Sequence, residues 1–388
     1  MPSTSMARQS SARGSGCMRI AYFTTAFALG GAEMQVYLTA REMRRRGADV
    51  IVVRLKDSPN GLLHKLLQSD IPTVSLHLNH PLMIFGALHR ARKLLRRWRP
   101  HVVHSHMVHA NIFARLLRLI HPVPRLICTA HSSNEGGRLR MLAYRMTERL
   151  ADLTTNVSPE AVERFCRKRR WHKAHVTYVP QVVDTERFKP DARARARLRG
   201  ELGVADRFVF LTVGRLVPEK DYRTLMAAFH DVVRVHRQAV LLVAGEGPER
   251  PNVERAIATL ALHDAATLLG AREDIPELIN AADCVVISSL LEGGPMILLE
   301  AMCVGKPVVT TRVGLAASII DDSVDVVPVK NARSLAEAMM RVLCRVHGTR
   351  TPSALMKRFS PDQVAGIWQR AYQGDFSAIQ QSYAPHLG

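Results

Sequence analysis

The chain has 388 residues, 47% of them hydrophobic and 23% charged, which is enough for two domains with ordinary cores. No apolar run approaches the ~18–20 residues that span a bilayer, which argues against a membrane-spanning protein. The formal net charge of +20 lies in one half: residues 1–190 carry 31 Lys and Arg against 12 Asp and Glu, and residues 191–388 carry 23 against 22. This asymmetry predicts two domains with different partners.

The N-terminus and the cysteines indicate the cellular compartment. Residues 1–17 are rich in Ser, Arg and Gly without an apolar centre, so they do not form a secretory signal and predict a disordered tail. Met18 is an alternative start to Met1. The six cysteines contain no C-x-x-C pair, and four stand in apolar surroundings, which favours reduced thiols in a cytoplasmic protein.

The first elements predict a Rossmann-like domain. A strand from Arg19 is followed by Gly30-Gly31, a helix to about Arg46 and a second strand over 49–54. Gly30 and Gly31 would let a phosphate approach the backbone at the helix start, although a plain turn needs the same residues.

Histidines follow two later strands of this half. The strand 100–106 contains His104 and His106, and His109 comes shortly afterwards. A metal site is the weaker interpretation, because no carboxylate or cysteine nearby completes a tetrahedral ligand set. His131 ends the strand 125–130, where it would face a ligand or make a local hydrogen bond.

The second half repeats the strand, turn and helix order. We interpret residues 184–202 as the linker that precedes it. A strand over 208–214 leads to Arg215 and Lys220, which would bind a diphosphate through a guanidinium fork and a point charge or would be surface cations. Further strand and turn units end at Gly247 and after Gly270, as a doubly wound sheet requires.

The stretch Ser288–Val308 organises this half. A β-branched strand precedes Glu292-Gly-Gly-Pro, and a helix-forming run contains Glu300. Unpaired N–H groups at such a helix start attract anions, whereas carboxylates accept hydrogen bonds from hydroxyls. A nucleotide-sugar has both kinds of group. The alternative is a Gly-Pro turn before an ordinary helix with two solvated glutamates.

These motifs resemble those of glycosyltransferase family 4, whose members are retaining enzymes with the GT-B fold. Glu292 and Glu300 resemble the family's Glu-x7-Glu signature, and Gly30-Gly31-Ala-Glu resembles its first strand–helix turn. The resemblance implies an α/β architecture of two Rossmann-like domains, each with a doubly wound parallel sheet, facing each other across a cleft. The implied domains are an acceptor-binding domain over 18–187, a nucleotide-sugar-binding domain over 188–360 and a C-terminal helix and tail over 361–388 that packs back on the N-terminal domain.

The resemblance also implies roles for individual residues. His131, Arg215, Lys220 and Glu292 correspond to catalytic positions, with His131 hydrogen-bonding the sugar rather than forming a covalent bond. The implied donor-binding residues are Gly30, Gly31, Arg215, Lys220, Gly247, Ala271, Ile275, Glu292, Gly293, Gly294, Pro295, Met296, Ile297 and Glu300. Glu300 would bind ribose hydroxyls, and Glu292 with Gly293 and Gly294 would hold the donor sugar.

The chain departs from the family pattern at three places. Gly294 stands where members often carry Phe, and Gln181-Val182 replaces an Asn-Gly turn. The segment after Val313-Gly314 lacks a second Gly and a Glu, so no role is assigned there.

The function that follows is a retaining, metal-independent hexosyltransferase. No cofactor or metal is expected, which agrees with the absence of a D-x-D motif from the sequence. The donor would be a nucleotide-sugar, with uridine favoured by family frequency, and the acceptor a polysaccharide, a lipopolysaccharide or a lipid-linked glycan. A nucleotide-sugar epimerase on the same fold is an alternative.

The basic half predicts a further partner. An arginine-rich helix over 89–99 carries Leu94, Leu95 and Trp98, and the run 167–171 adds a second basic and aromatic cluster. Such clusters fit an anionic membrane surface, and they predict a peripheral protein at the inner face of the cytoplasmic membrane. A solvated helix face is the alternative. A nucleic-acid-binding protein is disfavoured because the clusters lack any recognition-module spacing.

Overall fold

The computed structural model describes residues 17–27, 30–57, 62–132, 137–169, 176–319, 321–345, 354–377 and 379. Apart from Cys17, the predicted N-terminal tail lies outside these residues. Contacts divide the described chain into two compact units. The first holds described residues within 17–130, 137–155 and 365–379, and the second holds residues 131–132 and those within 156–364. The predicted border lies after residue 187, whereas this division falls after Thr155.

The first sheet has seven strands. They are β1 Arg19–Thr24, β2 Asp49–Arg54, β3 Thr73–Ser75, β4 Val102–His106, β5 Leu126–Ala130, β6 Leu153–Asn156 and β7 Val176–Tyr178. The helices between them are α1 Gly31–Arg45, α2 Leu63–Gln68, α3 Ile84–Trp98, α4 Val108–Ile120, α5 Arg138–Met146 and α6 Pro159–Arg169. The strand order is β3-β2-β1-β4-β5-β6-β7, so the direction of winding reverses between β1 and β4.

The second sheet has six strands. They are β8 Phe208–Val213, β9 Ala239–Ala244, β10 Ala266–Gly270, β11 Cys284–Ile287, β12 Val308–Thr311 and β13 Val324–Val327. Its helices are α7 Ala192–Glu201, α8 Tyr222–Val235, α9 Arg250–Thr259, α10 Ile275–Ala281, α11 Met296–Cys303 and α12 Ala332–Cys344. The order β10-β9-β8-β11-β12-β13 is parallel throughout and reverses between β8 and β11.

Both faces of the second sheet are buried. Along β9, Val240 and Leu242 belong to one hydrophobic layer, and Leu241 and Val243 belong to the other. Successive side chains of a strand point to opposite faces, so a continuous apolar strand needs cover on both sides. Helices α10 and α11 contribute to the first layer, and α8 and α12 contribute to the second.

The segment interpreted as a linker is largely a packed helix, so that interpretation was wrong for its second part. On α7, Arg195 and Arg199 donate to the carboxylate of Asp283 at 2.5 and 3.0 Å. Burial alone would raise the pKa of Asp283, but the Val209 amide at 2.8 Å and the two arginines hold it below its ordinary value. Arg195 and Arg199 therefore anchor the helix to the second sheet.

The last helix, α13 Pro361–Gln373, contributes buried residues to the first unit. The Tyr372 hydroxyl lies 2.9 Å from the Tyr22 hydroxyl and 2.8 Å from Nδ1 of His104. The rings of Trp368 and His104 are 4.5 Å apart. These buried polar contacts fix the helix against strands β1 and β4.

Candidate active site

The candidate site lies at the carboxyl edge of the second sheet, where β8 and β11 are neighbours although they are not consecutive in the chain. The loops that follow two such strands diverge and leave a crevice, which is the usual ligand position in open α/β sheets. Lys220 follows β8, and Glu292 follows β11. The Leu290 amide donates to the Glu219 carbonyl at 2.7 Å, so the two loops are joined there.

Lys220 and Glu292 form an ion pair across this edge. Two serines before the glycine turn hold the pair: the Ser288 hydroxyl donates to the Lys220 carbonyl at 2.7 Å, and the Ser289 hydroxyl donates to Oε1 of Glu292 at 2.8 Å. Side chains that are already fixed in this way lose little additional conformational entropy when a ligand binds. Neither serine could be identified as a site residue from the sequence, because a serine after a strand has many ordinary roles.

Arg215 supplies a second cation in the loop that follows β8. Its side chain is exposed and makes no hydrogen bond or ion pair with another residue in the described part of the chain. Gly214, its neighbour, leaves room for the stem of Lys220, since a Cβ on Gly214 would lie 3.1 Å from the lysine Cε. The site therefore offers one cation paired to a carboxylate and one open to solvent.

The Gly293-Gly294 turn is packed too closely for side chains. A Cβ on Gly293 would lie 1.8 Å from the carbonyl oxygen of His131, and a Cβ on Gly294 would lie 2.0 Å from Oε1 of Gln181. Gly314, at φ +51°, also packs against the turn, since its Cβ would lie 2.2 Å from the carbonyl oxygen of Gly293. The turn thus presents backbone rather than side chains, as an anion or sugar site at a helix start requires.

Helix α11 begins directly after this turn, with Pro295 as its N-cap and no side chain capping it. Met296 is half-buried and Ile297 is buried in the core, so they position the helix. Burial raises the pKa of Glu300 to about 7, against the weak opposing attraction of Arg187. Hydrogen bonds donated by the hydroxyls of a ligand would strongly stabilise the ionised form of such a carboxyl group.

Two sequence profiles match the chain and together cover more than half of it. The profile of glycosyltransferase family 4 matches residues 29–187, and that of glycosyl transferases group 1 matches residues 195–345. The chain belongs to glycosyltransferase family 4.

Three named relatives of this glycosyltransferase have similar levels of sequence identity to it. It is 29% identical to the D-inositol 3-phosphate glycosyltransferase of Saccharomonospora viridis, over 81% of both chains. It is 29% identical to the alpha-D-kanosaminyltransferase of Streptomyces kanamyceticus, over 66% of its own length and 71% of the relative's. It is 26% identical to an Escherichia coli UDP-Gal:alpha-D-GlcNAc-diphosphoundecaprenol alpha-1,3-galactosyltransferase, over 64% and 68%.

The fold of the glycosyltransferase is the GT-B fold. Anabaena Alr3699/HepE, crystallised with UDP and glucose, superimposes with a TM-score of 0.83 at 20% identity, over 92% of this chain and all of the other. Sucrose-phosphate synthase from Thermosynechococcus elongatus gives 0.78 at 22% identity, over 93% and 100%. The predicted α/β architecture of two Rossmann-like domains is confirmed.

The other donor-binding residues predicted for this glycosyltransferase are spread over both units. In the second unit, Gly247 packs on the Leu216 carbonyl, Ala271 is exposed after β10, and Ile275 opens α10. In the first unit, Gly30 is the N-cap of α1 and Gly31 its first residue, at that sheet's own reversal point.

The predicted sugar-contacting histidine has a neutral ring at physiological pH. Burial lowers the pKa of His131 to about 4, so the ring donates or accepts hydrogen bonds but carries no charge at pH 7. Its carbonyl contacts the glycine turn, which places the backbone of His131 beside Gly293 within the second unit.

The histidines of β4 serve the fold of the glycosyltransferase. His104 uses both ring nitrogens, with Tyr372 at 2.8 Å and with Thr129 at 2.7 Å, and its ring lies 4.2 Å from that of His106. Among the described residues no group of three His, Cys, Asp or Glu side chains is placed to hold a metal ion. Nor is any helix in the described ranges both long and apolar enough to cross a bilayer.

The apolar residues predicted to form a membrane-binding face on α3 are not exposed there. Leu95 is buried, and Leu94 and Trp98 pack on the core of the first unit rather than beside the exposed cations. The exposed large apolar side chains around the start of this helix are instead Leu82, Met83 and Phe85, which are 84%, 50% and 80% exposed. The second basic cluster, over 167–171, lies outside the residues whose side chains are described.

Proposed function

We propose that this glycosyltransferase moves a hexose from a nucleotide-sugar, with UDP as its nucleotide, to a growing glycan, with retention of configuration and without a metal ion. The observation that carries the proposal is the Lys220–Glu292 pair at the reversal point of the second sheet, directly before a glycine turn and a helix N-terminus. This arrangement offers positive charge and backbone N–H groups to a diphosphate, and a carboxylate to sugar hydroxyls.

In the proposed reaction, Arg215 and Lys220 bind the diphosphate. As the bond between sugar and phosphate breaks, negative charge grows on the leaving nucleoside diphosphate, and fixed cations stabilise that charge more than they stabilise the bound donor. The exposed side chain of Arg215 can bind the phosphate without breaking another contact, whereas Lys220 would be shared between Glu292 and the phosphate. The two cations supply the electrostatic role that a divalent ion has in other enzymes.

The remaining donor is held through its hydroxyls. Glu292 and the amides of Gly293 and Gly294 bind the sugar, Glu300 binds the ribose, and neutral His131 hydrogen-bonds near the reacting carbon. Retention then follows from departure and attack on one face, with the leaving phosphate taking the acceptor proton. A neutral imidazole supports this role because it brings no additional cation to the sugar.

The donor nucleotide and the acceptor class are suggested by relatives. HepE is crystallised with UDP and glucose, and the E. coli enzyme is named for UDP-galactose and a lipid diphosphate acceptor. We infer a UDP-hexose donor and a polysaccharide, lipopolysaccharide or lipid-linked glycan acceptor. No organic cofactor has a role in this scheme.

We infer that the first unit rests on the inner face of an anionic membrane, where a lipid-linked acceptor is presented. On α3 the side chains of Arg92, Lys93, Arg96 and Arg97 are exposed, and Leu82 and Phe85 stand beside its start. Each cation near an anionic surface contributes ~1 kcal/mol, and the apolar side chains add insertion into the interface.

The proposal is tested by donor consumption and product analysis. Arg215→Ala and Lys220→Ala should each lower kcat at least ~100-fold, since each removes charge stabilisation in the transition state, and Arg215→Ala should leave the melting temperature unchanged. Arg333→Ala, which removes a 90% exposed cation far along the chain on α12, is the matched control. EDTA should leave the rate unchanged, and NMR should give an α-linked product from an α-linked donor. Full activity in both site variants, or an inverted product, would refute the proposal.

A further inference from the structure

One buried side chain beside the glycine turn has no partner. Gln181 follows β7 and is only 3% exposed. Its carbonyl oxygen, Oε1, is buried and accepts no hydrogen bond from any residue that the structure describes. Buried polar atoms are almost always hydrogen-bonded, so an unpartnered one in a native fold needs a specific cause.

This oxygen is held against the turn proposed to bind the donor sugar. A Cβ on Gly294 would lie 2.0 Å from Oε1 and 2.8 Å from the carboxamide carbon, so the carboxamide occupies the space that any side chain at position 294 would fill. Gly293 beside it contacts the backbone of His131. The oxygen therefore lies against the same glycine turn that the His131 backbone contacts, within one unit.

The backbone around Gln181 is fixed on both sides. The Val179 amide donates to the Asn156 carbonyl at 3.1 Å, and the Val183 amide donates to the Phe359 carbonyl at 2.9 Å. Val179 and Val183 are themselves buried. An acceptor on so short and anchored a segment is positioned in advance, which is what a specificity contact needs.

We propose that Gln181 binds the donor sugar, its Oε1 accepting a hydrogen bond from one sugar hydroxyl and so selecting donors that carry that hydroxyl. This rests on the proposed function of the site. A carboxamide oxygen accepts hydrogen bonds but does not donate them, and the hydroxyls of a hexose can donate. A sugar hydroxyl can therefore supply the donor that no described residue provides to Oε1. A buried acceptor discriminates strongly against a ligand that lacks the matching donor, because the acceptor is then left unpaired.

The test compares wild-type enzyme with Gln181→Met, which keeps the volume and removes the acceptor. Binding is measured by calorimetry for UDP, for a panel of UDP-hexoses and for the deoxy analogues of the tightest one. We expect Gln181→Met to bind that UDP-hexose about 10-fold more weakly and UDP within twofold of wild type. One deoxy analogue should bind equally to both proteins, and it identifies the hydroxyl. Gln363→Met, at an exposed glutamine of α13, is the matched control.

Three results separate the possible failures. Equal affinity of wild type and variant for every UDP-hexose overturns the inference about Gln181 and leaves the site assignment intact. A parallel loss for UDP and UDP-hexose also overturns it, because a purely structural role gives that pattern. A wild type that binds no UDP compound overturns the proposed function, and this inference with it. Removing an unpartnered buried oxygen should leave the melting temperature of the empty protein unchanged or higher.

Discussion

Glu300→Gln should make the empty enzyme more stable and its nucleotide complex weaker. The folded protein raises the pKa of Glu300 from 4.5 to about 7 because the carboxyl group is buried. A raised pKa in an acid means that the folded state prefers the protonated form. The ionised side chain therefore destabilises the fold once the pH passes 4.5, and the cost stops growing above about pH 7.

The size of the effect follows from the pKa. A difference of one pKa unit corresponds to about 1.4 kcal/mol, so the full cost approaches ~3 kcal/mol at pH 8 and is only ~1 kcal/mol at pH 5. Glutamine has nearly the same shape and no charge, so the substitution removes this cost. For a unit of this size ~3 kcal/mol corresponds to a rise of roughly 10 °C in melting temperature.

The assay is thermal unfolding of wild type and Glu300→Gln at pH 5 and pH 8, with and without UDP. The melting temperature of the variant should exceed that of wild type by clearly more at pH 8 than at pH 5. UDP should raise the melting temperature of wild type more than that of the variant, since a carboxylate accepts from both ribose hydroxyls. UDP binding to wild type near pH 6 should also release protons, because hydroxyl donors stabilise the ionised form.

The matched control is Glu201→Gln on α7, where the carboxylate is 55% exposed and the expected change is within about 0.5 kcal/mol at either pH. Identical melting temperatures of wild type and Glu300→Gln at pH 8 would show that Glu300 is not a desolvated carboxylate. An unchanged response to UDP would show that it does not contact the nucleotide.

Three further substitutions test the glycine turn, the ion pairs of Asp283 and the basic face of α3. Gly293→Ala should lower sugar transfer at least ~100-fold, because a new Cβ would lie 1.8 Å from a backbone carbonyl, whereas Gly366→Ala, with open space around it, should leave the rate unchanged. Asp283→Asn should cost ~3 kcal/mol in urea unfolding, since it removes the charge between two arginines; a loss below ~0.5 kcal/mol would contradict the role of that pair. Arg96→Glu with Arg97→Glu should abolish flotation with anionic liposomes, and flotation that is independent of lipid charge would exclude the membrane face.

The sequence predicted the sheet and turn order of the second unit well because the signals there are local. A β-branched run before Glu292 and two glycines after it specify strand, turn and helix within a short stretch, and the structure has β11, the turn and α11 there. The strands β3 and β13 were not predicted, since three or four residues are too few to show a clear pattern.

The other failures of prediction concern contacts between distant parts of the chain. The Ala and Arg run before β8 has the composition of a solvated linker, and only the position of Asp283 shows why it folds as α7. Trp98 stands in a basic segment typical of a membrane anchor, but its side chain packs against the hydrophobic core. Gln181 and Gly294 are two separate departures from the family pattern in the sequence, and the structure places one against the other.

The most direct test of the proposed donor site is a crystal structure of the enzyme with an intact UDP-hexose. Diphosphate oxygens should lie within about 3 Å of the Lys220 ammonium and the Arg215 guanidinium, with a sugar hydroxyl on the carboxylate of Glu292. A donor bound elsewhere, or bound here without contact to the Lys220–Glu292 pair, would show that this site does not hold the donor.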